Sequence, residues 1–60
     1  MKTFVKYRTT KIATQYVAGI LIDSNGGQVS KQEWLKIEKD KYGKSLIDAG
    51  FLIKVKEFKQ

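Results

Sequence analysis

The side chains of this 60-residue chain that could do chemistry are cations and aromatic rings rather than nucleophiles or proton carriers. There is no His to move protons near neutral pH, and no Cys to serve as a nucleophile. Without Cys or His, neither disulfides nor an ordinary zinc finger can brace the fold. The carboxylates Asp23, Glu33, Glu38, Asp40, Asp48 and Glu57 are scattered, and Ser24, Ser30 and Ser45 have no base partner. Gly26-Gly27 lacks both the strand-to-helix context and the Gly-Lys-Ser/Thr ending of a phosphate loop. The expectation is a non-enzyme without cofactor or metal. What remains is charge: 12 basic against 6 acidic residues, net +6, a balance that attracts polyanions. Eleven of the twelve cations are Lys and only Arg8 is Arg. Lys also serves plain solubility, whereas Arg makes the directional forks to bases and phosphates.

One place gathers cations with rings, the outer face of two terminal strands. Residues 3 to 8 alternate, with Val5 and Tyr7 on one side and Phe4, Lys6 and Arg8 on the other. Residues 51 to 58 alternate likewise, with Phe51, Ile53 and Val55 on one side and Leu52, Lys54, Lys56 and Phe58 on the other. If the two strands are neighbours, Phe4, Lys6, Arg8, Leu52, Lys54, Lys56 and Phe58 share a face. Rings among cations suit single-stranded nucleic acid, because rings stack on bases while cations follow phosphates. The same face, through Phe4, Leu52 and Phe58, would equally serve as a protein interface or a homodimer surface.

The elements that must position these groups are anchored by Val29-Ser30-Lys31-Gln32-Glu33-Trp34. Ser30 and Glu33 have capping-box spacing, and Val29 and Trp34 have hydrophobic-staple spacing, so a helix starts at Lys31. Trp34, Leu35 and Ile37 point inward, and Tyr42-Gly43 ends or kinks the helix, with Gly43 fitting a C-cap. A second short helix runs from about Lys44 to Ala49, with Gly50 as its cap. Residues 10 to 24 admit two readings. As a helix, Ile12, Ala13, Tyr16, Val17, Ile20 and Leu21 form one stripe between Thr10 and Asn25-Gly26-Gly27. As a strand, residues 15 to 22 are a β-branched-rich run before an Asn25-Gly26 turn. The strand needs a turn near Lys11 to Thr14, where no Gly, Pro, Asn or Asp stands; this favours the helix.

Ile20-Leu21-Ile22-Asp23-Ser24-Asn25-Gly26-Gly27-Gln28-Val29-Ser30 looks like a first helix ending, a glycine turn and a second helix starting. Leu46-Ile47-Asp48-Ala49-Gly50-Phe51-Leu52 looks like a recognition helix entering a wing strand. Over about residues 12 to 55 the pattern resembles winged helix-turn-helix domains. The resemblance implies DNA binding, with Lys41, Tyr42, Lys44 and Ser45 as contacts. Only one strand follows the last helix, so the N-terminal strand would have to supply its partner.

One domain is expected from 60 residues: an α+β fold with helices on a short sheet made by the two chain ends, or alternatively a ββαβ layout with residues 15 to 22 as a strand. Lys interrupts the N-terminal residues, so no signal-peptide core is expected, and the longest apolar run, Tyr16 to Ile22, is too short for a bilayer. A soluble cytoplasmic protein without membrane contact is the expectation. Its partner is nucleic acid, DNA ahead of RNA. The alternative is a small protein-interaction module of the sort a phage or mobile element encodes to modulate a host protein.

Overall fold

The computed structural model describes residues 2–60. The elements run β1 (Thr3–Thr9), β2 (Gln15–Val17), β3 (Ile20–Ile22), β4 (Gly27–Ser30), α1 (Lys31–Lys39), α2 (Lys41–Asp48) and β5 (Leu52–Lys59). β1 is the centre of a three-stranded antiparallel sheet ordered β4-β1-β5, and β2 and β3 form a separate hairpin. The chain ends pair as expected, from Thr3 opposite Lys59 to Thr9 opposite Leu52. Lys2 and Gln60 continue the ladder with reciprocal backbone hydrogen bonds of 3.2 and 2.9 Å. Two helices packed against a sheet that holds both terminal strands is the expected α+β arrangement, and it is consistent with a winged-helix-like layout.

The start of α1 is built as its sequence dictates. Ser30 Oγ accepts from Glu33 N at 3.1 Å, and Glu33 Oε1 accepts from Ser30 N at 3.0 Å. Val29 and Trp34, the two staple residues, are both in the core. The other end departs from expectation. Asp40, not Tyr42-Gly43, separates the helices. It is extended (φ −73°, ψ 135°), its N–H caps α1, and its Oδ2 accepts from Gly43 N at 3.0 Å to cap α2. Asp inside a charged run is easily taken for a solvated residue; here its short side chain does what an N-cap needs. Gly43 therefore lies inside α2 and is buried. Gly50 follows α2 as expected, with Phe51 N donating to Leu46 O at 2.9 Å and Gly50 N to Ile47 O at 3.1 Å, a Schellman closure.

Residues 10 to 24 are not helical, so the favoured reading fails and the strand alternative is nearer. They do not make one strand but a tight hairpin, with Val17 opposite Ile20 across the two-residue turn Ala18-Gly19. Both turn residues have positive φ, 53° and 76°, the mark of a type I′ turn whose twist matches its strands. Val17, Ile20 and Ile22 face the core while Tyr16 and Leu21 face out. The turn after β1, which no Gly, Pro, Asn or Asp marks, uses Lys11 at φ 58°. Ala18 carries a cost that Asn would not, since Asn visits this region readily. Ala18→Asn is expected to stabilise the fold by about 1 kcal/mol, raising the melting temperature by about 4–8 °C in a thermal melt.

The core joins Val5 and Tyr7 of β1, the inner hairpin residues, Val29, Trp34, Ile37, Leu46 and Leu52. The Tyr7 and Trp34 rings stack with centroids 6.5 Å apart, and the Tyr7 hydroxyl accepts from Asp23 N at 2.9 Å. Tyr16, Leu21, Leu35 and Val55, expected to help fill the core, are instead exposed. No helix among the described residues is long and apolar enough to cross a membrane.

Candidate nucleic-acid interface

Alternation along β1 sends Val5 and Tyr7 to the helices and Phe4, Lys6 and Arg8 to the opposite face. Antiparallel pairing fixes their neighbours in rows, because residues directly opposite share a face. The first row is Ser30–Phe4–Phe58 and the second Gln28–Lys6–Lys56, while Arg8 stands opposite Ile53. The Phe4 and Phe58 rings stack at 5.9 Å with 26° between planes. Lys56 Nζ lies 5.7 Å from the Phe58 ring centre, a cation–π distance. From Phe4 to Arg8 the face runs about 13 Å. Lys6, Arg8, Gln28 and Lys56 are exposed; Phe4, Ser30, Ile53 and Phe58 are half-buried.

Two residues expected on this face are elsewhere, and a β-bulge is the reason. The register with β1 shifts between Lys6 and Tyr7, so that Lys6 faces Lys56 but Tyr7 faces Lys54, leaving Val55 unpaired. An extra residue reverses the alternation beyond it. Leu52 consequently turns into the core and is fully buried, so it cannot be an interface residue. Lys54 turns to the helix side, where its Nζ donates to Glu57 Oε1 at 2.6 Å. Ile53 takes the outer position instead. Gln28 and Ser30 were not foreseen because no strand is expected at residues 27 to 30. The alternation Gln28-Val29-Ser30 ahead of the capping box was the available signal.

None of the residues in these rows is a carboxylate. Glu33 and Asp40 cap helices, and Asp23 Oδ1 accepts from Asn25 N at 2.8 Å in a turn. Glu57 receives hydrogen bonds from both Lys31 and Lys54. The Lys31 hydrogen bond, then that from Lys54, pulls the Glu57 carboxyl from an ordinary 4.5 down to about 2. A pKa lowered by folding means the ionised carboxylate stabilises the fold fully above about pH 4.5, and that contribution fades as the pH falls toward 2. Glu57→Gln is therefore expected to lower the urea midpoint at pH 7, with the gap to wild type closing as both are titrated to about pH 2. The site is exposed, so added salt should shrink the same gap.

The second predicted group lies at the start of α2. Lys41, Tyr42, Lys44 and Ser45 are all exposed. Tyr42 is not a core residue: its hydroxyl donates to Gln15 Oε1 at 2.6 Å, tying α2 to the hairpin. Ser45 Oγ donates to Tyr42 O at 2.7 Å. The structure thus places the eight predicted cationic and polar contacts in three locations: Lys6, Arg8 and Lys56 on the sheet, Lys54 behind it, and the other four on α2. A shallow hollow lined by Lys2, Thr3, Ser30, Lys31 and Gln32 adjoins the start of α1. The Glu33 carboxylate standing there disfavours a bound anion. Among the described residues no group of three or more His, Cys, Asp or Glu could hold a metal ion. No protein-family model, curated protein or solved structure matches this chain.

Proposed function

We propose that this protein binds nucleic acid without catalysing a reaction, and that it takes single-stranded DNA on the open face of its three-stranded sheet. The observation that carries this reading is the juxtaposition of the stacked Phe4–Phe58 pair with Lys6, Arg8 and Lys56 on a face without a carboxylate. Rings offer a stacking platform to any base, and the cations beside them neutralise the phosphates. Three cations at a slope of about −0.7 per phosphate predict a log–log salt slope near −2, or roughly twentyfold weaker binding from about 50 to 200 mM salt.

Fluorescence anisotropy with labelled single- and double-stranded DNA across that salt range tests the proposal. Preference for the single strand, with the stated slope, supports the sheet face. Preference for duplex, lost on Lys41→Glu with Lys44→Glu, would transfer the function to α2 in the manner of a winged helix-turn-helix domain. A second reading, a protein-interaction module, is favoured by the hairpin, where Tyr16 (70% exposed) and Leu21 (49% exposed) face each other across the strands. It predicts no DNA binding at the lowest salt, and a partner whose capture is little affected by salt and is lost on Tyr16→Ala.

A further inference from the structure

We infer that two copies of this chain join edge to edge through β5, antiparallel and over its whole length, so that one six-stranded sheet carries two outer faces side by side. The inference stands apart from the single-strand reading above and enlarges the surface that reading uses. β5 is the longest strand and lies at the edge of its sheet, with β1 on one side and no strand of the described residues on the other. The phase of its backbone is fixed at both ends. The reciprocal Lys2–Gln60 bonds mean that Phe58 and Lys56 turn their N–H and C=O groups toward β1, while Glu57 and Lys59 turn theirs outward. Thr10 N donates to Phe51 O, so Ile53 likewise turns toward β1, and Leu52 and Lys54 turn outward. An open row of backbone donors and acceptors of this length is a template for another strand.

The bulge decides which strand fits. A two-fold axis perpendicular to a sheet keeps every side chain on its own face. In a strand without a bulge, such an axis can therefore oppose only residues an even number of positions apart. Leu52–Lys59 paired end to end with its own copy opposes residues an odd number apart, Leu52 with Lys59 and Lys54 with Glu57. The extra residue at Val55 removes this mismatch, because it reverses the alternation at mid-strand. Outward from the middle, Lys54 and Glu57 both lie on the helix side, and Ile53 and Phe58 both lie on the outer face. The outward backbone groups match in the same register. Lys on an edge strand ordinarily deters such pairing, but here Lys54 of each copy stands opposite Glu57 of the other. Ile53 of each stands opposite Phe58 of the other, an aromatic and β-branched pair. On the outer face the row Ser30–Phe4–Phe58 then continues into Ile53 and Arg8 of the second copy. A short oligonucleotide on one copy still meets Lys6, Arg8 and Lys56, and a longer one crossing the axis meets both sets.

Sedimentation equilibrium of the chain without nucleic acid, from about 10 μM to about 1 mM, tests the inference. The wild type is expected to form a reversible dimer in that range. Lys54→Glu and Glu57→Lys, each alone, should weaken it about tenfold, because like charges then stand opposite one another twice. An equal mixture of the two variants should recover the wild-type affinity as a heterodimer, since every opposed pair again has unlike charges. Lys54→Glu combined with Glu57→Lys in one chain should recover it as a homodimer. Both residues are exposed, so the variants should fold, and circular dichroism verifies this. A wild type that stays monomeric at about 1 mM would overturn the inference, leaving the β5 edge open to a strand of another protein and the single-strand reading untouched. A dimer undiminished in both single variants, or a mixture that fails to recover, would overturn it as well.

Discussion

Exchanging Lys6, Arg8 and Lys56 together for Glu is expected to abolish single-strand binding while leaving the fold intact. All three side chains are exposed and contribute nothing to the core, so the melting temperature should change little. The binding term they supply is the release of counterions, which accounts for most of the affinity of a protein that does not read sequence strongly. Alanine exchanges dissect the effect more finely. Each cation removed should flatten the log–log salt slope by about 0.7, so a triple alanine variant should bind with almost no salt dependence. Phe4→Ala and Phe58→Ala should act differently: affinity falls, by about 1–3 kcal/mol for a stacked base, with the slope unchanged. Anisotropy at several salt concentrations separates the two classes of variant. Loss on Lys41→Glu and Lys44→Glu with full retention in the Lys6, Arg8 and Lys56 variant would refute the sheet-face assignment.

Gly43→Ala should strongly destabilise the fold, although Ala is ordinarily the better helix former by about 1 kcal/mol. The reason is the sharp reversal at Asp40. One extended residue between α1 and α2 brings the first turn of α2 against the last turn of α1. A Cβ on residue 43 would lie 2.3 Å from the Ile37 carbonyl oxygen and 2.9 Å from Ile37 Cγ2. The carbonyl belongs to α1 and accepts from Asp40 N at 3.2 Å, and Ile37 is fully buried, so neither neighbour can yield without moving a helix. Overpacking costs about 1–3 kcal/mol and sometimes more, and a 2.3 Å approach to a backbone oxygen belongs at the upper end. A domain of this size has only about 3–5 kcal/mol to lose. Gly43→Ala is expected to be largely unfolded at 25 °C by circular dichroism and Trp34 fluorescence. A melting temperature within a few degrees of wild type would show that the helices can part at no great cost.

The same two sites explain how far the sequence could be read. Ser30, Glu33, Val29 and Trp34 act within one turn of chain, so their spacing alone determines where α1 begins. Phe4, Lys6, Arg8, Lys56 and Phe58 were legible for a similar reason: each lies on a stretch of strand whose alternation is unbroken. Leu52 and Lys54 were not, because residues on both sides of the alternation in β5 are apolar and nothing in Leu52 to Phe58 announces the bulge at Val55. The hairpin was hidden by its turns. Lys11 and Ala18 adopt left-handed conformations that Gly, Asn or Asp usually mark, and the tertiary burial of Val17, Ile20 and Ile22 outweighs that local cost. Gly43 was visible as a special position but assigned the wrong role. A glycine that ends a helix and a glycine that lets two helices touch look alike until the neighbour, here Ile37, is known.

The pairing of β1 with β5 also governs how quickly the molecule can form. The central strand is completed on one side by residues some 50 positions away, so nearly the whole sequence must be closed into a loop before those hydrogen bonds and Leu52 are gained. The helices and the β2–β3 hairpin involve short separations and can form transiently within microseconds. They lack a finished sheet to pack against until the distant strand arrives. Folding of so small a chain should thus be limited by the search for one long-range contact, placing it with the slower mixed α/β domains rather than with helical bundles of equal length.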